Sequence, residues 1–358
     1  MAISSHGIGG LTFDTSKRNM PQEVGVAIAL VLIVVVFELL GRFVMNDSFL
    51  FNTRDNVDGF FNTARLQIII LQVSIIGIIA LGVTQVIITG GIDLSSGSIV
   101  GATAMIAMSF AQVGEINGME NTRAIFLAQG IVDMPVILPI TVGLACGLLA
   151  GVINGALVAY TRIPPFIATL GMMVSARGAA KWWTAGQPVS FPTESYAAIG
   201  SGMMPVYIFA FLAIMFHLIL KYTVYGKHTY AIGSNEAAAR MSGIKVARHK
   251  VMVYAIAGLL AGVAALVLSA KNLTAQAGMG MMYELDAIAM AVIGGISLQG
   301  GRGSIIGTVL GAMIFGVIIS GFTFLRLDAY YQEMVKGAII VGAVVLDQWR
   351  QRRPSAAH

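Results

Sequence analysis

The chain has 358 residues, of which 57% are hydrophobic and only 11% are charged. The mean hydropathy is +0.82, whereas about 25% of the residues of a soluble domain are charged. This composition indicates an all-α polytopic membrane protein and excludes a soluble globular fold. The net charge of +5 lies mostly in loops and the C-terminal tail, with no basic patch interleaved with aromatic residues, so nucleic-acid binding is not indicated. The one cysteine, Cys146, excludes an intrachain disulfide.

Apolar stretches divide the chain into about ten candidate transmembrane helices, since a helix needs about 20 apolar residues to cross a bilayer. They are 24–40, 66–89, 97–112, 137–160, 165–185, 205–222, 251–270, 284–299, 304–324 and 332–347. An even number of spans leaves both termini on one side. Lys and Arg are more frequent in the segments on that side, which makes both termini cytoplasmic.

The domain organisation follows from these spans. Residues 1–23 form a cytoplasmic N-terminal segment, and 24–347 form a single transmembrane domain whose cytoplasmic loop is 223–250. Residues 348–358 are a cytoplasmic tail. The first apolar stretch lacks a small-residue cleavage site and is predicted to be a retained span. The longest outer loop, 113–136, is mildly acidic and is predicted to carry a short surface helix.

Small residues form two periodic features. Gly143, Gly147, Gly151 and Gly155 recur every four residues, as do glycines 303, 307 and 311, and such stripes favour close helix packing in lipid. A weak internal repeat relates GGIDLSSGSIVG at 90–101 to GGISLQGGRGSIIG at 294–307. In the predicted topology both copies follow a span that runs inward, so the repeat would be parallel.

No catalytic constellation is recognisable in the chain. The phosphate-binding pattern G-x-x-x-x-G-K-[ST] is absent, as are H-E-x-x-H and G-x-S-x-G. The five histidines are scattered along the sequence. We therefore expect no enzyme activity, no metal and no bound cofactor in this chain.

The polar stretch between Lys221 and Lys250 carries six cations against one carboxylate, Glu236. Asn235 and its neighbours can cap a short helix because their side chains accept hydrogen bonds from free backbone amides. The helix is predicted to run through Ala237–Met241 and to end at Gly243. From the residues alone, this segment is either a solvated connector or a docking helix.

Charged residues within the apolar stretches have two interpretations each. Arg177 either extends with Lys181 towards the outer headgroups or faces a pathway or a buried carboxylate. Asp93 lies in the Gly-flanked break GGIDLS and either caps the next helix or holds a mobile break. Glu284 and Asp286 begin a span near the outside and either favour its N-terminus or contact a ligand or partner.

Four motifs along the chain carry a family resemblance. GGIDLSSGS, RIPPFIATLG, GSNEAAARMSGI and YELDAIAMAVIGGISLQGGRGSIIGT occur in this order between about 66 and 347. Together they resemble the permease subunits of bacterial ATP-binding-cassette importers for ribose, galactose, xylose and inositol. The resemblance implies a fold similar to the vitamin B12 importer permease, in the bacterial inner membrane. The 113–136 loop is longer than in the commonest pattern.

The resemblance also implies partners and a mechanism. Residues 234–243 would be the coupling helix in a cleft of a cytoplasmic ATPase, which uses ATP and Mg²⁺. Its residues are Ser234, Asn235, Glu236, Ala237, Ala238, Ala239, Arg240 and Gly243. A periplasmic sugar-binding protein would deliver the substrate, and a second copy of the permease would complete a homodimer surrounded by membrane lipids.

The expected cargo is a monosaccharide or a cyclic polyol, with myo-inositol or a hexose as the specific prediction. Candidate pathway residues carry charges or an amide: Asp93, Asn154, Arg177, Glu284 and Asp286. Asn62, Gln72 and Gln187 are further amides that could bind a neutral sugar. The alternative is a secondary transporter driven by an ion gradient, in which Asp93 would be the coupling carboxylate.

Overall fold

A computed structural model describes residues 22–51 and 61–352. Most of the predicted N-terminal segment 1–23 and of the tail 348–358 lies outside these residues. Thirteen α-helices occur in the described ranges. They are α1 (Gln22–Leu40), α2 (Thr63–Ile88), α3 (Ser96–Ser109), α4 (Ile137–Tyr160), α5 (Pro165–Trp183), α6 (Glu194–Ala197), α7 (Met204–Tyr222), α8 (Val224–Ser234), α9 (Glu236–Met241), α10 (Val246–Asn272), α11 (Tyr283–Ile293), α12 (Ile305–Phe324) and α13 (Ala329–Arg352).

Four two-residue strands lie in the loops. They are β1 (Glu115–Ile116), β2 (Met119–Glu120), β3 (Val189–Ser190) and β4 (Thr274–Ala275). β1 pairs with β2 as an antiparallel hairpin, and β3 pairs with β4. The predicted surface helix in 113–136 is therefore wrong, apart from a 3₁₀ turn at Leu127–Gln129. Asn117 and Gly118 both have positive φ and form the two-residue turn that favours a hairpin.

The all-α polytopic prediction is confirmed, but the number of spans differs from the ten predicted. Within the described residues, six helices are long and apolar enough to cross a membrane. These are Glu23–Met45, Thr63–Ile88, Ile137–Tyr160, Met204–Tyr222, Val246–Asn272 and Ile305–Phe324. The other four predicted spans coincide with α3, α5, α11 and α13. The predicted span 284–299 is wrong in its second half, because α11 ends at Ile293 before Gly294 and Gly295.

Helix α2 lies at the centre of the fold. Seventeen of its 26 residues are buried, which fits its lack of a polar face. α12 packs antiparallel to it, with Thr84 and Thr308 hydroxyls 2.7 Å apart near the end of α2 and the start of α12. α11 packs parallel to it, since Tyr283 lies beside 68–76 and the segment after α11 meets Ile88. The two copies of the weak repeat therefore occupy equivalent breaks in parallel helices.

The Gly143–Gly155 stripe packs α4 against α10. A Cβ on Gly147 would overlap the Gly258 carbonyl oxygen, and a Cβ on Gly151 would overlap that of Tyr254. The second stripe works similarly, because a Cβ on Gly311 would overlap the Met290 carbonyl oxygen of α11. Both stripes are thus intramolecular packing faces, where the missing side chain lets two backbones meet.

Replacing Gly151 with alanine should lower the thermal unfolding midpoint of the purified protein. The added methyl group has to displace the backbone of α10, which costs about 1–3 kcal/mol. The matched control is Gly25→Ala in α1, where a Cβ meets no atom within 4 Å. Equal midpoints for the two variants, measured in the same detergent, would show that the α4–α10 contact is looser than the structure indicates.

Candidate functional site

The polar stretch after α7 folds into two short helices and the start of a third. In α9 the Asn235 side chain accepts a hydrogen bond from the Ala238 amide at 3.0 Å, so Asn235 is the N-cap. Gly243 follows the helix with φ +86° and lets the chain reverse. The predicted short helix is present at the predicted place. Its coupling role stays a prediction.

One side of α9 is fixed to the neighbouring helices and the other is open. Ala239 is buried in a small apolar cluster with Ile232 of α8 and Val246 of α10. Ala237, Ala238 and Met241 point outward, and Met241 is 84% exposed. An exposed methionine beside two alanines is an apolar surface with little side-chain bulk. Such a surface suits insertion into a partner's groove.

Glu236 ties α9 to the start of α10. Its carboxylate accepts a hydrogen bond from the Lys250 ammonium at 2.7 Å and from the Arg240 guanidinium at 3.0 Å. The hydrogen bond from Lys250, more than the one from Arg240, holds the pKa of Glu236 below its ordinary value of 4.5. Because the side chain is 42% exposed, solvent screens both ion pairs. The contact orients α9 more than it stabilises the fold.

Helix α8 connects α9 to the membrane helices. The Tyr230 hydroxyl donates to the Gly303 carbonyl at 2.8 Å, and the Tyr225 hydroxyl donates to the Gln85 side chain of α2 at 2.8 Å. A Cβ on Gly233 would overlap the Ile88 carbonyl oxygen, so only glycine allows α8 to approach so closely. Helix α8 therefore links α9 to the end of α2 and to the segment after α11.

The two irregular segments touched by α8 also touch each other. The Gly301 amide donates to the Ile88 carbonyl at 2.8 Å, which joins the segment after α11 to the end of α2. A Cβ on Gly300 would lie 2.9 Å from the Gly90 nitrogen. The breaks after α2 and after α11 thus form one structural unit, and Gly233 packs against both.

Asp93 and Asn154 belong to one buried network in the first break. The Asp93 carboxylate accepts hydrogen bonds from the Ser95 amide at 2.8 Å and from its hydroxyl at 2.6 Å. The Asn154 amide of α4 donates to the same hydroxyl at 2.7 Å. Tyr254 of α10 donates to the Ile92 carbonyl at 3.2 Å. Asp93 therefore orders the turn that precedes α3 and ties it to α4.

Arg177 binds backbone rather than headgroups or a carboxylate. Its guanidinium donates to the Ala277 carbonyl at 2.7 Å and to the Met279 carbonyl at 3.0 Å. The interpretation that Arg177 extends with Lys181 towards the outer surface is therefore wrong. Lys181 and Trp182 are exposed at the end of α5, whereas Arg177 holds the irregular segment between β4 and α11.

Glu284 and Asp286 are both buried on α11, at 7% and 6% exposure. Asp286 forms an ion pair with Lys336 of α13 at 3.2 Å. The Glu284 carboxylate lies against Gly97 of α3, and one of its oxygens has no hydrogen-bond partner in the described part of the chain. Neither acid is on a surface that could meet an external protein.

The other amides considered from the sequence have separate positions. Asn62 caps α2 through the Arg65 amide. Gln72 lines a cavity of about 460 Å³ together with Lys271, Tyr283 and Asp286. Gln187 is exposed. Of the predicted pathway residues, Asp93 and Asn154 share the Ser95 hydroxyl as a hydrogen-bond partner. The other three have separate contacts: Arg177 binds backbone carbonyls, Asp286 pairs with Lys336, and Glu284 lies against α3.

Sequence reasoning missed the residues that connect α8 to the breaks. Tyr230 lies outside the quoted motifs, and Gly233 is the first residue of GSNEAAARMSGI without any sign of what it packs against. Their partners lie more than fifty residues away. The Lys336–Asp286 pair could have been found, because opposite charges in two apolar helices are expected to pair. Among residues 22–51 and 61–352, no group of three or more His, Cys, Asp or Glu could hold a metal ion.

Comparison with known proteins agrees with this architecture. Residues 65–344 match the family described as branched-chain amino acid transport system / permease component. The ribose import permease of Bacillus subtilis is 38% identical over 91% of this chain and 93% of its own length. The galactose/methyl galactoside import permease of Haemophilus influenzae is 34% identical over 94% of this chain and 95% of its own. No solved structure matches the chain.

The apolar helices and the helix breaks define a multi-pass transport subunit of the bacterial inner membrane. Within that class, the chain belongs to the permease subunits of ATP-binding-cassette sugar importers. It is a transport component rather than an enzyme. Membership in this family also removes the main support for an ion-gradient-driven secondary transporter.

The Glu236 contact predicts a pH dependence of α9. The ion pairs form while the carboxylate is charged, so the protection they give is complete above pH 4.5 and is lost as the pH falls through the lowered pKa. Amide hydrogen exchange at Glu236–Met241, corrected for intrinsic rates, should report this loss. Glu236→Gln should remove the same protection at pH 7, whereas Glu115→Gln in the β1–β2 hairpin should leave α9 unchanged. Unaltered exchange in Glu236→Gln would contradict the assignment.

Arg177→Met should destabilise the protein and reduce sugar uptake. The two carbonyls at 277 and 279 lose a charged donor, and this costs on the order of 2–4 kcal/mol. Lys181→Met removes an exposed cation from the same helix and is the control. Thermal unfolding and uptake should be measured for both variants. Wild-type uptake and stability in Arg177→Met would show that the segment before α11 is held by other contacts.

Proposed function

We propose that this permease imports a monosaccharide or a cyclic polyol by alternating access driven by a separate ATPase. The observation that carries this proposal is the contact of α8 with both helix breaks, since it gives an external protein on α9 a path into the membrane helices. The ATPase would take up ATP and Mg²⁺, and this chain would bind neither. Both termini would be cytoplasmic.

The partners in this proposal have distinct surfaces. The ATPase would receive the apolar face of Ala237, Ala238 and Met241 in a groove, with Ser234, Asn235, Glu236, Arg240 and Gly243 setting the position of α9. A periplasmic binding protein would deliver the sugar at the opposite side. A second copy of the chain would complete the pathway as a homodimer, surrounded by membrane lipids.

The substrate class rests on the relatives. Two of them are import permeases for ribose and for galactose or methyl galactoside. The run MMYELDAIA resembles the galactose- and inositol-type members of the family more than the ribose type, and this resemblance is the reason for proposing a hexose or myo-inositol. Asp93, Asn154, Arg177, Glu284 and Asp286 are proposed to act on the pathway by shaping the helices around it. Their side chains are engaged mainly with the protein, so direct sugar contacts are left to other residues.

Two variants test separately whether the ATPase binds α9 and whether movement of α9 reaches the helix breaks through α8. Glu236→Lys replaces the carboxylate with a third cation beside Arg240 and Lys250, so α9 should lose its orientation and the ATPase should no longer co-purify. Gly233→Ala should keep the ATPase bound, because α9 is intact. It should reduce ATP-driven uptake in proteoliposomes by on the order of tenfold, because α8 is displaced from the breaks.

Tyr222→Phe is the control, since this exposed side chain lies at the end of α7 away from the breaks. It should leave co-purification and uptake unchanged. The coupling proposal is rejected if Glu236→Lys retains the ATPase and transports normally. The transmission proposal is rejected if Gly233→Ala folds, binds the ATPase and imports sugar at the wild-type rate. Uptake assays with ribose, galactose and myo-inositol would decide the substrate.

A further inference from the structure

A large cavity adjoins α9 on the side of the α4–α5 turn. Its volume is about 990 Å³. The end of α4 at 158–160, the turn at 162–165 and the residues 244–248 that begin α10 form its walls. The turn links α4, which is long and apolar enough to span a membrane, to α5. In the proposed topology this opening therefore lies at the cytoplasmic surface of the bilayer. It is separate from the outward face of Ala237, Ala238 and Met241.

The cavity is strongly basic. Five cations line it against the single carboxylate Glu236: Arg162, Arg240, Lys245, Arg248 and Lys250. Arg240 and Lys250 share that carboxylate through the ion pairs already described. Arg162, Lys245 and Arg248 are exposed and form no ion pair with any described residue. Three uncompensated cations around one cavity attract an anion.

Two helix ends reinforce the same charge. α5 begins at Pro165 and α10 begins at Val246, and both positions line the cavity. The N-terminus of a helix carries a partial positive charge. The helices are 19 and 27 residues long. The positive ends of two long helices and three unpaired side chains therefore act on the same space.

An apolar surface lies next to the charge. Tyr160 at the end of α4 is 63% exposed, and Phe166 and Ile167 at the start of α5 are 50% and 56% exposed. Tyr160 is also part of the cavity wall. A ligand that fits here carries a negative head for the cavity and hydrocarbon for the exposed aromatic and aliphatic side chains. A soluble anion would not contact the exposed apolar side chains.

We propose that this cavity binds the phosphate headgroup of an anionic phospholipid, with its acyl chains along Tyr160, Phe166 and Ile167. Basic pockets at the cytoplasmic ends of membrane helices bind such headgroups. The placement in the inner leaflet rests on the proposed function, because it requires α9 to face the cytoplasm. Since Glu236 and Lys250 contribute to both the cavity and the α9–α10 contact, the lipid fixes the position of α9 before an ATPase arrives.

The experiment uses the full-length permease, purified in a neutral detergent. Cardiolipin is added, and the thermal unfolding midpoint is measured by fluorescence. The midpoint should rise by about 5 °C at saturating lipid. Arg162→Gln/Arg248→Gln should lose at least half of that rise. The control Lys221→Gln/Lys227→Gln removes two exposed cations from the same side of the protein and should keep the full rise.

Further ligands and variants test whether the anionic phospholipid itself causes the rise in the unfolding midpoint. Phosphatidylcholine and inorganic phosphate should produce no rise, and Arg162→Lys/Arg248→Lys should restore it. The proposal is overturned if the glutamine variant responds like the wild type, if phosphate alone reproduces the rise, or if both double glutamine variants lose it equally. If the glutamine variant does not fold, native mass spectrometry of Arg162→Gln and Arg248→Gln singly should show fewer bound cardiolipins, and unchanged numbers would overturn the proposal.

The lipid result is independent of the ATPase result. Loss of ATPase co-purification in Arg162→Gln/Arg248→Gln, with the cardiolipin rise intact, would reassign the cavity to the ATPase and reject the lipid. A retained cardiolipin rise in Glu236→Gln, combined with no ATPase binding by the wild type, would reject the proposed function and keep the lipid site.

Discussion

Irregular backbone at membrane depth is the constraint on which this structure depends. α3 and α11 have 14 and 11 residues and so cover about 21 Å and 16 Å, less than the roughly 30 Å of a hydrocarbon core. Neither helix can cross alone, and the segments next to them must satisfy their own amides and carbonyls without water. Asp93, Tyr254, Tyr230 and Arg177 supply those hydrogen bonds from side chains.

This constraint explains where α8 is attached to the membrane helices. The break after α11 needs a donor for the Gly303 carbonyl, and Tyr230 of α8 provides it. The same contact makes the break sensitive to the position of α8, because removing the donor leaves a partly buried carbonyl without this partner. Glycine at 233 brings the two backbones together. In the proposed mechanism, the contact that stabilises the break is therefore also the contact that would transmit movement.

The sequence predicted the helices better than their connections. Every predicted span coincides with a helix, because a helix satisfies its backbone internally and hydrophobic runs mark it. The end of α11 was missed, since Ile296 and Leu298 continue the apolar run after Gly294 without continuing the helix. The Asn117-Gly118 dipeptide is the signal that could have predicted the hairpin in place of the surface helix. By contrast, Arg177 binds carbonyls about a hundred residues away. Because every residue has a backbone carbonyl, the sequence does not show which ones will accept such a hydrogen bond.

The N-terminal end of α10 carries basic residues of two kinds. Lys250 pairs with Glu236 and so positions α9, while Lys245 and Arg248 remain unpaired in the basic cavity beside it. Glu236 neutralises part of the charge, and Arg162, Lys245 and Arg248 remain available to an anion that enters the cavity. A headgroup held by these three cations would screen the repulsion among them and so help to hold α9 in place. In this proposal the single carboxylate sets how much basic charge is left for the membrane surface.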